Sequence, residues 1–233
     1  MNTELEQVLP AQIEKRSFEI ITEELGERVF VPGTEPIVKR CIHTSADFDY
    51  AENLVFSEKV VEKALGALRR GASIVTDTQM AKAGINKKKL AQYGGQVYCF
   101  MLDEGVAEAA RGKGTTRAAA SMEKAAGMFQ RDHGQADTAD RPLNCQEVPG
   151  DETPGLIFAI GNAPTALIRL YELIREGRLA PELIIGVPVG FVNVVQSKEM
   201  ILDLKDTPYI VARGRKGGSN IAACICNALL YML

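Results

Sequence analysis

Between residues 72 and 214 the chain carries five short apolar runs with strand character: ASIVTD (72–77), GQVYCFM (95–101), LIFAIG (156–161), LIIGV (183–187) and YIVARG (209–214). Each of the last three is followed within a few residues by Gly, Pro or Asn. A helix-periodic segment comes next in each case: APTALIRLYELIREG, NVVQSKEMILDL and SNIAACICNALLYML. Continuous apolar runs of this length suit strands covered on both faces. Their alternation with helices makes βαβ units. The predicted fold class is α/β, a three-layer, doubly wound, mostly parallel sheet with helices on both faces. At 233 residues the chain suits a single domain over 1–233 with a sizeable buried core.

In open parallel sheets, ligands bind beyond the carboxyl ends of the strands. Here those ends are Asp77, GNAP (161–164), GVPVGF (186–191) and RGRKGG (213–218). In RGRKGGSN, the glycines Gly214, Gly217 and Gly218 let backbone N–H groups approach a ligand, and a helix starting at Ser219 adds a partial positive pole. Arg213, Arg215 and Lys216 add full charges. Carboxylates or phosphates suit such a loop; a solvated basic turn is the plainer alternative. The GxGxxG spacing is missing there, and GxxxxGK[ST] is missing from the whole chain, which disfavours a dinucleotide or ATP. GNAPT offers Asn162 and free N–H groups at another helix start, or merely a capped turn. Val189 and Gly190 lie in a stiff apolar stretch that forms either a wall against a flat ligand or a buried loop.

Upstream of the sheet, Pro10 opens a helix through AQIEKRSFEIITEEL that Gly26 closes. Ser17 sits in it among apolar neighbours. Thr34 is the expected cap of a second helix with Pro36 in its first turn. Its buried stripe is Ile37, Val38, Cys41 and Ile42, and His43 falls in its last turn. Ser57 is the expected cap of a third helix ending at Gly71. A further helix, GTTRAAASMEKAAGMF, carries Arg117 in its first turn, where a cation opposes the helix dipole. A bound anion or an internal carboxylate would account for it. His43 is one of two histidines. Arg40, at i−3, shares its face. A nearby cation disfavours imidazolium, while a helix C-terminus and ligand carboxylates favour it. Opposed influences suit a histidine to give and take a proton near pH 7. Spacing supports no catalytic triad and no metal-ligand cluster.

Net charge is −3, so no global basic field recruits nucleic acid. The five cysteines form no CxxC pair, and reduced, mostly buried thiols are expected. The N-terminus is polar, and no apolar run reaches the roughly 18 residues that span a bilayer. A cytoplasmic protein without membrane partners is the expectation. Residues 129–155, which include His133, are polar, rich in Gly, Pro and Asp, and lack periodicity. They are expected to be an exposed, flexible insertion loop.

The order and spacing of IEKRSFEII, VKRCIH, GASIVTDTQMAKAGI, GTTRAAA, AIGNAPTAL, GVPVGFV, QSKEM and ARGRKGGSNIAA resemble the precorrin-8X methylmutase family, which includes the cobalt-precorrin-8 methylmutases. The resemblance runs over roughly residues 10–230. Residues 129–155 fit it least. It implies an isomerase of cobalamin biosynthesis that moves a methyl group from C-11 to C-12 of a corrin-ring precursor, giving hydrogenobyrinate or cobyrinate. No external cofactor is implied, and cobalt, where present, belongs to the substrate. The family histidine falls on His43, which is implied to protonate the macrocycle and promote a [1,5]-sigmatropic shift. The family serine falls on Ser17, and the arginines of RxxH and TTR on Arg40 and Arg117. The family is typically homodimeric. Two rival functions remain: a non-catalytic tetrapyrrole carrier, and a methyltransferase using S-adenosylmethionine. The second would need a glycine-rich loop after the first strand that the sequence does not convincingly supply.

Overall fold

The structure is a computed structural model that describes residues 6–128 and 155–233. The expected loop at 129–155, with His133 and Cys145, lies outside the described residues save for Gly155. The described strands are β1 (Leu54–Phe56), β2 (Ser73–Thr76), β3 (Val97–Tyr98), β4 (Leu156–Ile160), β5 (Leu183–Gly186) and β6 (Tyr209–Ala212). They form one sheet in the order β1-β6-β5-β4-β2-β3. All neighbours run parallel except β1, which pairs antiparallel with β6 at one edge.

The helices are α1 (Ile13–Leu25), α2 (Glu35–Ser45), α3 (Tyr50–Asn53), α4 (Val60–Arg69), α5 (Gln79–Gly84), α6 (Lys87–Ala91), α7 (Glu104–Gly112), α8 (Arg117–Met128), α9 (Pro164–Arg175), α10 (Val194–Leu202) and α11 (Ser219–Tyr231). They cover both faces of the sheet, and the strands' period of two shows how. Ile157 and Ala159 of β4 join a core cluster with residues of α2, α4 and α11. Leu156, Phe158 and Ile160 of the same strand join a second cluster with residues of α7, α8, α9 and α10. Successive side chains point to opposite faces, so every β4 residue is buried.

Some local expectations fail for identifiable reasons. Ser57 does not cap α4, which begins at Val60; its hydroxyl instead accepts from the Tyr209 N–H at 2.9 Å and ties this turn to β6. Thr34 precedes α2, but its hydroxyl donates to the Val31 carbonyl rather than accepting a helix amide. β3 covers only two of the seven expected residues, because it lies at the sheet edge and pairs with β2 alone. β1, α3, α5, α6 and α7 were not expected; the first four are too short to show a period, whereas the nine-residue α7 is amphipathic and was overlooked. The described cysteines, Cys41, Cys99, Cys224 and Cys226, are free and buried as anticipated. Among the described residues no helix is long and apolar enough to cross a membrane.

The strand order reverses between β2 and β4, which is where open parallel sheets usually take their ligand. Here that crevice is filled by the chain itself. Asp77, immediately after β2, accepts from three backbone amides at the start of α9: Gly161 at 2.9 Å, Asn162 at 2.8 Å and Ala163 at 2.6 Å. From the other side α11 closes in. A Cβ on Gly161 would stand 2.6 Å from the Ser219 Cα and 2.7 Å from the Gly218 carbonyl oxygen, so only glycine fits there. Thr78 and Ser219 join hydroxyls across the seal at 2.8 Å. Burial pushes the Asp77 carboxyl up, and the three amides pull it back. Asp77→Asn would turn a donor toward these amides. It is expected to cost about 3 kcal/mol, the scale of a buried polar group left mismatched beside charge-assisted bonds. Urea unfolding measures it, and a loss under about 0.5 kcal/mol would mean the amides find other acceptors.

Candidate active site

The stripe Ile37, Val38, Cys41 and Ile42 buries one side of α2. Helical geometry then turns Arg40 and His43 together to the outside. There they meet α1 and the end of α11 in a layered stack. The Arg40 guanidinium lies 4.9 Å from the Tyr231 ring centre and 5.3 Å from that of Phe18. The Phe18 ring also stacks with the His43 imidazole, with ring centres 5.2 Å apart and planes 21° apart. Arg40 also donates to Glu14 at 3.1 Å. Each cation–ring contact at an exposed site contributes roughly 0.5–1 kcal/mol. An open cavity of about 770 Å³ is lined by Pro10, Ile13, Glu14, Arg40, His43 and Tyr231. His43 is exposed within it. Half-buried Ser17 is one turn beyond Ile13 and Glu14 and shares their face of α1.

The segment after His43 is tied to the glycine-rich loop. Lys216 donates to Asp47 at 2.6 Å and to Asp49 at 2.5 Å. The Lys216 ammonium holds the Asp47 carboxyl below its ordinary range, and Asp47 and Asp49 in turn raise the Lys216 pKa. The next contact outward is Arg215, whose guanidinium lies 5.3 Å from the Phe191 ring centre. Gly190 donates its amide to the Arg215 carbonyl at 3.2 Å. The 186–193 stretch is therefore split: residues 186–188 are buried, and 189–193 turn outward as an apolar tip. Phe191 and Val192 are each 79% exposed, and Val189 is 47% exposed. Behind the basic loop, the Lys198 side chain is fully buried and donates to the Gly214 and Lys216 carbonyls, both at 2.8 Å. Burial lowers its pKa to about 8.

Not every expected residue is free to meet a ligand. The Asn162 amide is spent on Asp77, so the second helix start offers only the exposed side chain. The Gly218 amide donates to the Val187 carbonyl at 2.9 Å, and Arg213 pairs with Glu199 at 3.4 Å. Arg117 is exposed at the start of α8, where Thr116 supplies the cap by accepting from the Ala119 amide at 3.2 Å. The Thr116 hydroxyl also meets that of Thr165, 2.8 Å away on α9. No carboxylate pairs with Arg117 among the described residues, so the internal explanation of this cation is not met. α8 and α9 cover the sheet face opposite α2. Arg117 and His43 therefore flank the sheet from opposite faces. Phe191 and Val192 lie in the stretch already read as a possible wall, whereas Phe18, Tyr231 and Lys198 were not singled out from the sequence. Lys198 had a usable signal: it falls one turn from Val194 and Ile201 on the buried side of α10.

The model of the precorrin-8X methylmutase family matches residues 12–232. The cobalt-precorrin-8 methylmutase of Priestia megaterium is 41% identical over 222 residues, covering 95% of this chain and 88% of that protein. That of Salmonella typhimurium is 40% identical over 229 residues, covering 96% of each. The precorrin-8X methylmutase of Pseudomonas aeruginosa is 33% identical over 218 residues, covering 93% of each. A solved precorrin-8x methyl mutase from Thermus thermophilus superposes with a TM-score of 0.76 at 34% identity, covering 95% of this chain and 96% of that one.

The stack makes a prediction that needs no substrate. Phe18→Leu removes the ring that shields His43 and flanks Arg40. The His43 imidazole proton signal, one of two in the chain, should move downfield, and stability should fall by about 1 kcal/mol. An unmoved signal in the proton NMR spectrum would mean that the rings do not stack in solution.

Proposed function

The chain belongs to the precorrin-8X methylmutase family, and from that membership we propose that its isomerase reaction moves a methyl group from C-11 to C-12 of a precorrin-8 macrocycle and yields the conjugated corrin. The reaction is intramolecular: one carbon–carbon bond breaks and another forms within the same ring system. No methyl donor or resident cofactor enters it, and any cobalt arrives as part of the substrate. The observation that carries the catalytic assignment is an exposed imidazole, His43, lining an open cavity of about 770 Å³ beside a guanidinium.

His43 is the general acid. It protonates the macrocycle at a ring nitrogen and so favours the methyl shift; the gain in conjugation drives the product side. One positioned acid contributes typically 10²–10⁴-fold. Holding the ring in its reactive shape supplies the rest. Ser17 and Arg40 meet the substrate beside His43. Arg117, Arg213 and the Gly214–Gly217 backbone meet rim carboxylates, for which cations and backbone donors are the matching chemistry. Asn162 adds its side chain only, and Gly218 contributes shape rather than its amide. Val189 and Gly190, extended by Phe191 and Val192, offer an apolar wall to a ring face. We also place the protein in the cytoplasm as a twofold homodimer. Exposed Leu9, Ile13, Val29 and Val31 around the first helix support an apolar contact between copies.

Incubation with metal-free and cobalt-loaded precorrin-8, followed by absorbance, tests the reaction and identifies the form used. Appearance of the corrin spectrum is expected. A small band shift alone would make the protein a carrier, and label arriving from an isotopically marked methyl donor would make it a methyltransferase. His43→Ala should keep macrocycle binding and lose 10²–10⁴-fold in turnover; wild-type turnover in that variant would remove the acid role. Arg117→Ala should raise KM about tenfold with kcat nearly kept, the size of one charged hydrogen bond. Steady-state kinetics separates the two effects.

A further inference from the structure

The QSKEM motif contains a charge that the reaction above leaves unused. Lys198 has no exposed surface, and no carboxylate pairs with it among the described residues. Its ammonium is met by the Gly214 and Lys216 carbonyl oxygens. A fully buried ammonium is costly unless polar groups satisfy it. The loop therefore has a strong reason to keep both carbonyls turned inward.

That constraint fixes what the loop shows to the outside. In a trans peptide the C=O and the following N–H point in opposite directions, and no cis bond is present among the described residues. With the Gly214 carbonyl directed at Lys198, the Arg215 N–H points away from it. With the Lys216 carbonyl directed at Lys198, the Gly217 N–H points away as well. Neither amide donates to a protein acceptor among the described residues, whereas the neighbouring Arg213 and Gly218 amides do. Position 217 must be glycine for this path: its φ is +155°, and a Cβ would lie 2.1 Å from the Val187 carbonyl oxygen. The other ends of the loop are held by Lys216 on Asp47 and Asp49 and by Gly190 on the Arg215 carbonyl.

We infer that Lys198 is a positioning residue that turns the Arg215 and Gly217 amides outward as a paired donor site for one carboxylate of the macrocycle. The inference rests on the tetrapyrrole reading for the identity of the ligand, but not for the geometry of the loop. Lys198 touches no substrate. It acts by holding two peptide planes, and the anion contributes binding rather than chemistry.

Lys198→Met keeps length and apolar bulk while removing charge and donors. The expected result is a KM for precorrin-8 raised about tenfold with kcat lowered less than about threefold. In the ligand-free protein, hydrogen exchange at Arg213 and Gly218, the hydrogen-bonded amides of 213–218, should rise at least about tenfold, while exchange in α11 stays unchanged. Should the methionine variant fail to fold, Lys198→Gln, which keeps one donor group, takes its place with smaller shifts in the same directions. An unchanged KM, or a loss confined to kcat, would overturn the inference. So would unchanged exchange at Arg213 and Gly218. A wild-type protein that converts no precorrin-8 would overturn the reaction instead, and the exchange measurement would still decide the role of Lys198.

Discussion

The fold turns on one buried carboxylate. Asp77 takes the Gly161, Asn162 and Ala163 amides at the point where the order of parallel strands reverses. A carboxylate of the chain thus occupies the crevice that this architecture normally offers to a ligand anion. With α11 packed onto Gly161, no room remains between β2 and β4. The loops after β5 and β6 and the outward face of α2 remain open. The seal is consistent with the proposed site beside the sheet, where α2 carries His43, the proposed acid.

The layered sheet was legible because burial on both faces leaves a plain mark. LIFAI is apolar at every position, since alternate residues feed two different cores. Placement of His43 and Arg40 followed from the same reasoning on α2: four buried positions leave one outward face. What the sequence did not disclose was which polar groups would find partners inside the chain. Asn162 and Gly218 looked like free donors because local sequence cannot show that Asp77 and the Val187 carbonyl come to meet them. Ser57 and Thr34 had the composition of helix caps, yet tertiary partners used their hydroxyls otherwise. Propensity at a helix start is worth about 1 kcal/mol and yields readily to such contacts.

Around His43 the sequence was read too narrowly as well. Phe18 counted only among the apolar neighbours of Ser17, yet its ring contacts both the Arg40 guanidinium and the His43 imidazole. The arrangement makes Arg40 part of the support for His43 as well as a candidate anion contact. Arg suits this double use better than Lys: its planar guanidinium can stack between rings while its edge still donates to Glu14. Because the stack joins α1, α2 and α11, the first helix is held by the same contacts that set the imidazole. Few other residues of α1 are buried, Ile21 being the one such position.

Asp77 and Lys198 are complementary devices. The buried carboxylate consumes amides and leaves carbonyls elsewhere undisturbed; the buried ammonium consumes carbonyls and leaves amides facing outward. Each ion would be expensive alone, and among the described residues each is met by backbone dipoles and by no opposite charge. Had Lys198 been paired with a carboxylate, the 214–216 carbonyls would have no reason to turn inward, and the amides that follow them could close on the chain itself. Among the described residues Lys198 meets no charged partner, and on the inference drawn above this is what lets it shape the loop. The same logic explains why Lys216, one residue away from the Gly217 amide, is anchored on Asp47 and Asp49: its side chain fixes the loop from outside and leaves its carbonyl for Lys198. Two lysines, one buried and one exposed, thus hold the 214–217 backbone from opposite sides, and the direction of its free amides follows from where those two charges find their partners.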